Sequence, residues 1–421
     1  MAPYRSLAQH LQHAALQHGA SLALQTIEQT WSFAELLSDI EGLAKQLTRD
    51  NATLVLSGSS LELARHAYAC SFENRPFWPV HRSSQSKRTD CPYPEASLII
   101  STSGSEGNAR AVVLGDQQID LAAGLANQTF NLGHGDLWLN CLPLFHIGGQ
   151  SILWRCAKAG AGVFLSNGFA LDEVVAALKN QPVTHISLVP TMLAKLLEQG
   201  IKPPPGLRVT LIGGAALSLP LYEQANASGW PLYPSYGMSE TAAQLATFMP
   251  QDGQWRPGRV GKPMPGHEVC ISDDGRIRIR GPQVMLGYLD SLGRDAAGWL
   301  TTGDLGELDG NGCLTITGRA DDMLISGGRN VHPLEVESCL AACPGVSEVA
   351  VSGRPDPVWG DLIVAIMVGD AAEQTLRTHA KTVLHSAAQP RQYIFIEALP
   401  KTPAGKPDRA KIRQLAMQST G

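Results

Sequence analysis

The sequence has no apolar run long enough to cross a membrane, and its first residues, M-A-P-Y-R-S-L-A-Q-H, lack the apolar core of a signal peptide. It also has no excess of basic residues, because 33 Lys and Arg stand against 38 Asp and Glu, for a net charge of -5. These absences argue against a membrane span and against a general binder of nucleic acid or anionic membranes. We therefore expect a cytoplasmic protein with no nucleic-acid partner.

Closely spaced cysteine motifs are also missing. The eight cysteines form no C-x-x-C or C-x-x-H pattern, and only Cys339 and Cys343 stand near each other, at helical spacing. This pattern predicts buried free thiols in a reducing compartment. Charged residues make up only 17% of the chain and hydrophobic residues 44%, so the chain can bury a large core. At 421 residues it is too long for one ordinary core, and we expect two or more domains.

Helical and strand-like segments alternate along the first two thirds of the chain. Residues 5–18 and 32–48 have helical apolar spacing, and Ser32 with Glu35 resembles a capping box. Residues 51–56 are an apolar strand candidate that a further helix follows. Further strands are expected at 97–100, 184–189 and 208–212, and a hairpin at 268–280 whose three arginines we interpret as a solvated face. The alternation predicts a layered α/β domain.

The glycine-rich segment 299–337 has a different pattern. Two short strand-like runs, 305–308 and 313–317, flank Asp-Gly-Asn-Gly, which is typical of a hairpin. A polar Arg-Ala-Asp-Asp run, a Gly-Gly pair and a helix start at Pro333 follow. The remaining pattern is helix 333–343, strands 346–351 and 362–368, helix 373–388, strand 393–396 and a last helix. We infer that two domains meet in this segment and that the chemistry depends on how they rotate about it.

The strand at 97–100 leads into S-T-S-G-S-E-G-N-A-R-A-V at 101–112. Hydroxyl and glycine residues after a strand offer many backbone N–H groups and small side chains to a phosphate chain. The Walker A pattern G-x-x-x-x-G-K-[ST] is absent, so this is a different type of loop. From composition alone, a flexible turn without a ligand is the alternative interpretation.

Four further features are ambiguous when each is taken alone. His146 lies between apolar residues and a Gly-Gly pair, where a structural histidine is the commoner interpretation. Arg155 in an apolar helix needs a partner, either a structural acid or an anionic ligand. The run P-S-Y-G-M-S-E-T at 234–241 fits a helix cap or a site for phosphate and Mg²⁺. A lone loop lysine such as Lys406 is usually only a surface charge.

In their order and spacing these motifs resemble the adenylate-forming superfamily, which includes acyl-CoA synthetases, peptide-synthetase adenylation domains and firefly luciferase. Segment 101–112 is similar to its phosphate loop, and segment 213–216 to its adenine wall. Segments 236–240, 302–304, 318–321 and 403–406 are similar to its aromatic-Gly-x-Thr/Ser-Glu motif, ribose aspartate, hinge and C-terminal lysine loop. The resemblance covers residues 97 to 406.

The resemblance implies an α/β fold with a large layered N-terminal adenylation domain, in which sheets are flanked by helices and accompanied by a small β-rich subdomain. A small mobile α+β C-terminal lid domain follows. The implied boundaries are 1–319 for the adenylation domain, 320–322 for the hinge at Asp321, and 323–421 for the lid that carries Lys406. The implied substrates and cofactors are a small carboxylic acid, ATP, Mg²⁺ and CoA, and the family pattern allows a homodimer.

The resemblance also assigns roles to single residues. Lys406, Glu240 and His146 are the implied catalytic residues, with Glu240 as the ligand of Mg²⁺. The implied nucleotide-binding residues are Ser101, Thr102, Ser103, Gly104, Ser105, Gly107, Gly214, Ala215, Ala216, Tyr236, Gly237, Ser239, Asp304 and Arg319. The implied acyl-substrate residues are His146, Gln150, Arg155, Ser187, Gly237, Met238 and Thr241. The implied residues of the CoA-dependent step are Gly327, Gly328 and Arg329.

Within the superfamily, the segments 142–146, 150–161 and 184–191 resemble the o-succinylbenzoate–CoA ligases of menaquinone biosynthesis. The expected activity is therefore ATP-dependent formation of an acyl-adenylate and then of a CoA thioester, and we expect Arg155 to face the second carboxylate of the acid. A ligase for another acid, acting on CoA or a carrier protein, is the nearest alternative. An inert nucleotide-binding regulatory module is the alternative of a different class.

The phosphate loop departs from the family pattern. Glu106 stands in place of the usual Thr, and Ala109-Arg110 in place of the usual Pro-Lys. Glu106 adds a negative charge beside a triphosphate, and Arg110 keeps the positive charge but not the compact shape of lysine. We therefore expect the contacts to the β- and γ-phosphates to differ from those of the family.

Overall fold

The computed structural model describes residues 4–47, 52–82, 90–102, 110–402 and 406–418. Its α-helices are α1 (Leu7–His18), α2 (Phe33–Ala44), α3 (Ser60–Phe72), α4 (Asp116–Phe130), α5 (Ile147–Ala159), α6 (Leu171–Asn180), α7 (Pro190–Glu198), α8 (Leu219–Ala227), α9 (Pro333–Ala341), α10 (Glu373–Val383) and α11 (Arg409–Gln418). Single 3₁₀ turns occur at Ser239–Thr241, Pro250–Asp252 and Ala320–Asp322.

The strands alternate with these helices through the first half of the chain. They are β1 (Leu22–Gln25), β2 (Thr30–Ser32), β3 (Leu54–Leu56), β4 (Phe77–Pro79), β5 (Ala96–Ser101), β6 (Ala111–Gly115), β7 (Leu137–Asn140), β8 (Gly162–Leu165), β9 (His185–Leu188), β10 (Val209–Ile212), β11 (Leu232–Met238), β12 (Ala243–Thr247), β13 (Arg259–Pro263), β14 (Glu268–Ile271), β15 (Arg276–Arg280), β16 (Gly287–Tyr288), β17 (Leu300–Leu308), β18 (Leu314–Arg319), β19 (Leu324–Ser326), β20 (Arg329–Val331), β21 (Val346–Asp356), β22 (Gly360–Gly369) and β23 (Gln392–Phe395).

The large N-terminal domain is built on a path of 13 strands in the order β14-β15-β17-β18-β13-β12-β11-β10-β9-β7-β8-β1-β2. From β11 to β1 the neighbouring strands are parallel, and helices connect them, as crossover connections require. From β12 to β14 the pairs are antiparallel and form a β-rich part. A second sheet has the order β16-β6-β5-β4-β3. This arrangement confirms the layered α/β domain and its β-rich subdomain.

The first helices begin where the sequence predicts. The Oγ of Ser32 accepts the backbone N–H of Glu35, whose carboxylate accepts the backbone N–H of Ser32, so α2 starts with the predicted capping box. Ser59 and Glu62 make the same box for α3. Apolar helix faces then pack on the sheets around fully buried side chains such as Trp138. The resulting layers bring the ends of the parallel strands to one edge.

The small C-terminal domain is an α+β unit. Strands β20, β19, β22 and β21 pair in that order, and β23 adds to β22 in parallel. Helices α9 and α10 cover an apolar cluster on this sheet, and α11 covers a second cluster with β21 and β22. The domain therefore has its own core, as its predicted pattern of helices and strands requires. Within the described ranges, no helix combines the length and the apolarity that a bilayer crossing needs.

Two expectations about local structure were wrong in detail. The helix predicted at 373–388 ends at Val383, because Leu384 adopts an extended backbone conformation. The segment 239–241 is a single 3₁₀ turn rather than a helix start, since Ala242 and Ala243 have φ of 50° and 92° and cannot continue a right-handed helix. The arginines of β15 lie on the predicted solvated face, opposite the buried Ile277 and Ile279, and each also pairs with a carboxylate there. These pairs are Arg276 with Asp274, Arg278 with Asp295, and Arg280 with Glu268.

Candidate active site

Tyr236, Asp304 and Arg319 form one hydrogen-bonded cluster at the edge of the large sheet. Tyr236 Oη donates to Asp304 Oδ2 at 2.7 Å, and Arg319 Nη1 donates to Asp304 Oδ1 at 2.8 Å. Asp304 lies opposite Arg319 in the pairing of β17 with β18, so sheet register places the ion pair. Burial and the adjacent carboxylate raise the pKa of Tyr236, which keeps the phenol a donor. The carboxylate is thus fixed in orientation and retains lone pairs for a diol.

The turn after β10 lies directly beneath Lys406. Gly214 has a φ of 78°, a left-handed conformation that glycine adopts without strain. A Cβ added to Gly214 would lie 3.4 Å from Lys406 Cε, so the lysine stem runs closely over this backbone. Ala215 and Ala216 continue the turn with small side chains. The absence of bulk leaves this backbone open to a flat ligand.

Lys406 is brought into the cleft by the C-terminal domain. Its carbonyl accepts the backbone N–H of Thr402 at 2.8 Å, and Lys401 forms a bridge with Pro407, so the base of this segment is closed. The surrounding walls desolvate the ammonium and lower the pKa of Lys406, although water still reaches the side chain. Asp304 and Glu240 act in the opposite direction on this pKa. A lysine of the small domain therefore faces the acidic residues of the large one.

Glu240 is held by two hydrogen bonds from the segment that precedes and forms β16. Its carbonyl accepts the N–H of Met285 at 2.8 Å, and its Oε1 accepts the hydroxyl of Tyr288 at 3.0 Å. In the part of the chain that the structure describes, no cluster of three or more His, Cys, Asp or Glu could hold a metal ion by itself. Mg²⁺ commonly takes one or two carboxylates together with substrate phosphates and water. Glu240 fits that requirement, and Ser239 precedes it in the same turn.

The predicted phosphate loop joins two antiparallel strands. Ser101 pairs with Ala111 in β5 and β6, and the backbone N–H of Thr102 donates to the carbonyl of Arg110 at 2.8 Å. Ser101 Oγ accepts from Trp78 Nε1 at 3.0 Å. The two strands that flank the loop are therefore paired as far as Thr102 and Arg110. The predicted residues Ser103, Gly104, Ser105 and Gly107, and the unusual Glu106 and Ala109, lie outside the described residues.

His146 stands at the N-cap of α5, beside the lysine. Burial, together with the positive charges of Lys406 and His81, lowers the pKa of His146 to about 4, so the imidazole is neutral at pH 7. Its Nε2 is buried and has no hydrogen-bond partner among the described residues. A buried polar nitrogen without a partner is costly and indicates a ligand or a functional role. A satisfied structural histidine would have a partner at this nitrogen, so the unpaired Nε2 favours the functional interpretation.

Arg155 is buried in α5, with 2% of its surface exposed. Its Nη2 donates to Gln244 Oε1 at 3.5 Å, and its guanidinium carbon lies 5.3 Å from the ring centroid of Trp138. Burial lowers the pKa of Arg155 to about 10, so it remains charged at pH 7. Among the described residues it forms no ion pair, and its Nε has no hydrogen-bond partner. A buried charge of this kind is expensive without an anion.

The other predicted acyl-site residues are packed tightly into the same region. Ser187 Oγ accepts from Trp138 Nε1 at 3.2 Å, which places β9 against the aromatic side chain beneath Arg155. Gln150 is fully buried and donates to the carbonyl of Leu144 at 2.7 Å. It thereby holds the turn before His146, and its Oε1 has no partner among the described residues.

Thr241 and Gly237 stabilise the backbone of the turn at 237–243. Thr241 is fully buried, and its hydroxyl accepts the N–H of Met238 at 3.2 Å. An added Cβ on Gly237 would collide with the carbonyl oxygen of Ala243, so only glycine fits. The hydroxyl of Thr241 is thus committed to the turn, whereas Gly237 and Met238 remain accessible at least in part. Thr241 shapes the pocket rather than offering its hydroxyl to an acid.

The predicted hinge residue Asp321 borders this cluster, whereas the residues assigned to the CoA-dependent step lie outside it. Asp321 forms part of the 3₁₀ turn between β18 and β19, and its Oδ2 lies 3.2 Å from Arg319 Nη2. Gly327, Gly328 and Arg329 are exposed at the turn between β19 and β20. The N–H of Gly327 donates to the carbonyl of Trp359 within the small domain. Lys406 occupies the cleft, and the Gly-Gly-Arg turn does not.

Sequence reasoning missed two residues near the cluster. Tyr288 donates to Glu240, and His81 contacts the ring of Phe145 with centroids 5.1 Å apart. Neither residue belongs to a motif that could have been recognised in the sequence.

A pocket of about 380 Å³ opens beside Phe145 between the two domains. Residues of both domains line it, among them His81, Phe145, Thr191, Lys195, Lys401 and Thr402.

Comparisons with known proteins show the family of this chain. The family model of the AMP-binding enzymes matches residues 73–289, and that of the AMP-binding enzyme C-terminal domain matches residues 335–406. A 2-succinylbenzoate–CoA ligase of Listeria monocytogenes is 36% identical over 323 residues, which cover 75% of this chain and 69% of that protein. The ligase of the same name from Bacillus licheniformis is 33% identical over 399 residues, covering 85% and 84%.

Solved structures agree as well. The o-succinylbenzoate CoA synthetase of Bacillus subtilis in complex with the acyl-adenylate intermediate OSB-AMP superposes with a TM-score of 0.86 at 28% identity, over 97% of this chain and 98% of that one. The fold predicted from the sequence is thereby confirmed. This chain belongs to the AMP-binding enzyme family and carries the C-terminal domain of that family.

Proposed function

We propose that this protein is an AMP-forming acid–CoA ligase that converts 2-succinylbenzoate to 2-succinylbenzoyl-CoA at the expense of ATP. The observation that carries the proposal is the position of Lys406, which runs over Gly214 and lies near Asp304, Glu240 and His146. The similar ligases of Listeria and Bacillus support the reaction type and the acid. The position of Lys406 near Asp304 and Glu240 argues against an inert nucleotide-binding module, because such a module needs no lysine in the cleft.

In the first half-reaction, an oxygen of the acid attacks the α-phosphorus of ATP, pyrophosphate leaves and an acyl-adenylate forms. Two anions must approach each other, so positive charge at the reacting atoms lowers the barrier. We propose that Lys406 supplies it between the carboxylate and the α-phosphate, and that Ser239 hydrogen-bonds the same phosphate. Glu240 would hold Mg²⁺, which would neutralise charge on the phosphate chain. Tyr236 and the turn 213–216 enclose the adenine, while Asp304 and Arg319 bind the ribose diol.

In the second half-reaction, the thiol of CoA attacks the acyl carbonyl and AMP leaves. Lys406 must withdraw for the thiol to enter, and we propose that the lid, residues 323–421, turns about Asp321 in the hinge 320–322. The turn would bring Gly327, Gly328 and Arg329 to the cleft. The pocket between the domains supports this proposal, because it ends beside the segment before His146 and loses its walls Lys401 and Thr402 when the lid turns.

The second carboxylate is the group by which the protein would distinguish 2-succinylbenzoate from a monocarboxylic acid. We propose that it binds at Arg155, whose buried guanidinium has no ion pair among the described residues. An anion there removes the cost of the uncompensated charge, whereas a monocarboxylic acid leaves it in place. The proposal places the ketone and ring of the acid between Arg155 and His146, along Gly237 and Met238.

The experiment is ATP–pyrophosphate exchange with a panel of acids. We expect the kcat/KM for 2-succinylbenzoate to exceed that for benzoate or a fatty acid by about a hundredfold, since a buried charge left unpaired costs several kcal/mol. Comparable rates for all acids would exclude 2-succinylbenzoate as the favoured substrate. Preference for another acid would identify a related aryl- or acyl-CoA ligase, and thioester formation only with a carrier protein would replace CoA as the acceptor.

We also propose a cytoplasmic location. The eight cysteines are free, and six of them are buried, as expected of a protein kept in a reducing compartment. Light scattering of the purified protein measures whether it forms the homodimer that the family pattern allows.

A further inference from the structure

The unusual Arg110 of the phosphate loop lies against an aromatic ring. Its guanidinium carbon lies 3.4 Å from the ring centroid of Tyr288, and its Nη2 donates to the hydroxyl of Ser291 at 3.0 Å. Stacking fixes the plane of the guanidinium, and the hydrogen bond fixes its rotation within that plane. The side chain of an otherwise exposed arginine is therefore held in one place, directly before β6 and after the predicted phosphate loop.

The same tyrosine reaches the carboxylate that we assign to Mg²⁺. The hydroxyl of Tyr288 donates to Glu240 Oε1 at 3.0 Å. Tyr288 is 6% exposed, and its phenol hydroxyl is a neutral hydrogen-bond donor. One oxygen of Glu240 is thereby oriented by a neutral donor. The carboxylate keeps its full charge for a cation.

Tyr288 itself rests on a rigid support. It pairs with Val112 in β16 and β6, directly beyond the phosphate loop. Its N–H donates to the carbonyl of Ser291 at 2.7 Å, and the next residue, Leu289, donates to the carbonyl of Ala111 at 3.0 Å. The turn 288–291 is thus anchored to the strand that begins one residue after Arg110. Sheet register thus sets the distance between Arg110 and Tyr288, and the bond from Met285 N–H to the Glu240 carbonyl holds Glu240 beside the segment that leads into β16.

We propose that Tyr288 is a positioning residue that aligns two phosphate-binding groups at once: its ring holds Arg110 against the phosphate chain, and its hydroxyl orients Glu240 toward the metal ion. This inference rests on the proposed function. It also explains the departure from the family's lysine, because a planar guanidinium can stack flat on the ring while donating to Ser291, and an ammonium has no plane to stack. Restoring the family residue by Arg110→Lys should therefore weaken nucleotide binding.

The test separates the ring from the hydroxyl. Tyr288→Phe keeps the ring and removes the hydroxyl, whereas Tyr288→Leu removes both. Binding of Mn²⁺ in the presence of ATP is followed by electron paramagnetic resonance, and binding of ATP in EDTA by calorimetry, both without any acid. Tyr222→Phe, a tyrosine stacked on Trp255 elsewhere in the same domain, is the matched control.

We expect Tyr288→Phe to weaken Mn²⁺ binding about tenfold, the usual loss when a hydrogen bond to a metal ligand is removed, and to leave ATP binding in EDTA unchanged. Tyr288→Leu and Arg110→Lys should in addition weaken ATP binding in EDTA about fivefold, in line with the loss of a stacked cation. The control should match the wild type in both measurements. Each variant should keep the far-UV circular dichroism spectrum and the cooperative thermal unfolding of the wild type, which checks that it folds.

Unchanged Mn²⁺ affinity in Tyr288→Phe would overturn the link to Glu240, and equal ATP affinity in the Phe and Leu variants would overturn the stacking with Arg110. Failure of the proposed function is seen separately, as the absence of pyrophosphate exchange by the wild type with every acid. The binding measurements need no acid and decide the role of Tyr288 in either case.

Discussion

Arg319 Nη2 lies 3.2 Å from Oδ2 of Asp321, so the end of β18 is tied to the residue about which the lid is proposed to turn. The other terminal nitrogen of the same guanidinium contacts Asp304 at 2.8 Å. One arginine thus joins the proposed ribose site to the proposed hinge. Any rotation that moves Asp321 must rearrange this ion pair.

Asp321→Asn should weaken the arrangement in which Lys406 occupies the cleft. The pair is partly exposed, with 42% and 28% of the two side chains accessible, so we expect only about a twofold loss in pyrophosphate exchange. Salt screens such pairs, and exchange by the wild type at 1 M NaCl should approach that of the variant. Thioester formation from supplied acyl-adenylate should not fall. A loss that is equal in both half-reactions would show that Asp321 does not favour one lid position.

Lys406→Ala should reduce pyrophosphate exchange by a factor of about 10³, because a point charge between two anions is removed from the first transition state. The same variant should retain most of its rate of thioester formation from supplied acyl-adenylate. Lys411→Ala, which removes an exposed lysine of α11, is the matched control. Equal loss of both half-reactions in Lys406→Ala would contradict the proposed withdrawal of the lysine.

Arg155→Met should raise the KM for 2-succinylbenzoate and leave that for a monocarboxylate analogue nearly unchanged. The substitution keeps the buried volume approximately and removes only the charge, so we expect a change in the KM ratio of about a hundredfold. Steady-state exchange with the two acids measures it. An unchanged ratio would remove Arg155 from the acyl pocket.

The stability should fall in acid through a buried histidine outside the site. His185 is fully buried, contacts Thr184 Oγ1 at 2.8 Å and the Phe130 carbonyl at 3.2 Å, and has its pKa lowered by burial from 6.5 to about 4. A lowered pKa means that the unfolded chain binds the proton first. The contribution of the neutral His185 to the free energy of unfolding is therefore complete above pH 6.5 and is lost as the pH falls toward 4.

Urea unfolding at pH 7 and pH 4.5 tests this prediction. His185→Gln, which retains a donor for the Phe130 carbonyl, should lose less stability between the two pH values than the wild type, by roughly 1–2 kcal/mol. If both proteins lose the same free energy of unfolding, His185 does not contribute to the acid sensitivity.

Local chemistry made much of the fold predictable. The capping box at Ser32 and the hairpin at 268–280 lie within a few residues of their predicted positions, because each depends on neighbours in sequence. The 3₁₀ turn at 239–241 was not predictable, since it ends in a positive φ at Ala242 and Ala243, and alanine has no intrinsic preference for that conformation.

The candidate site was predictable where the motifs themselves carry the chemistry. The assignments to Asp304 and Arg319 rest on motif positions, and sheet register brings these residues together. Tyr288 has no such motif, and its partners Arg110 and Glu240 are distant in the chain. The sequence also could not reveal that the hydroxyl of Thr241 hydrogen-bonds within the turn, because that bond depends on how the buried Thr241 side chain is packed.

The segment that carries Lys406 is closed at its base by the bond from Thr402 N–H to the Lys406 carbonyl and by the bridge from Lys401 to Pro407. The number of residues between 402 and 406 therefore limits how far the ammonium of Lys406 extends into the cleft. An insertion of one residue between 402 and 406 adds up to about 3.5 Å of chain, as much as the whole spacing between Lys406 Cε and the Cβ position of Gly214. Substitutions in this segment should be tolerated far better than changes in its length.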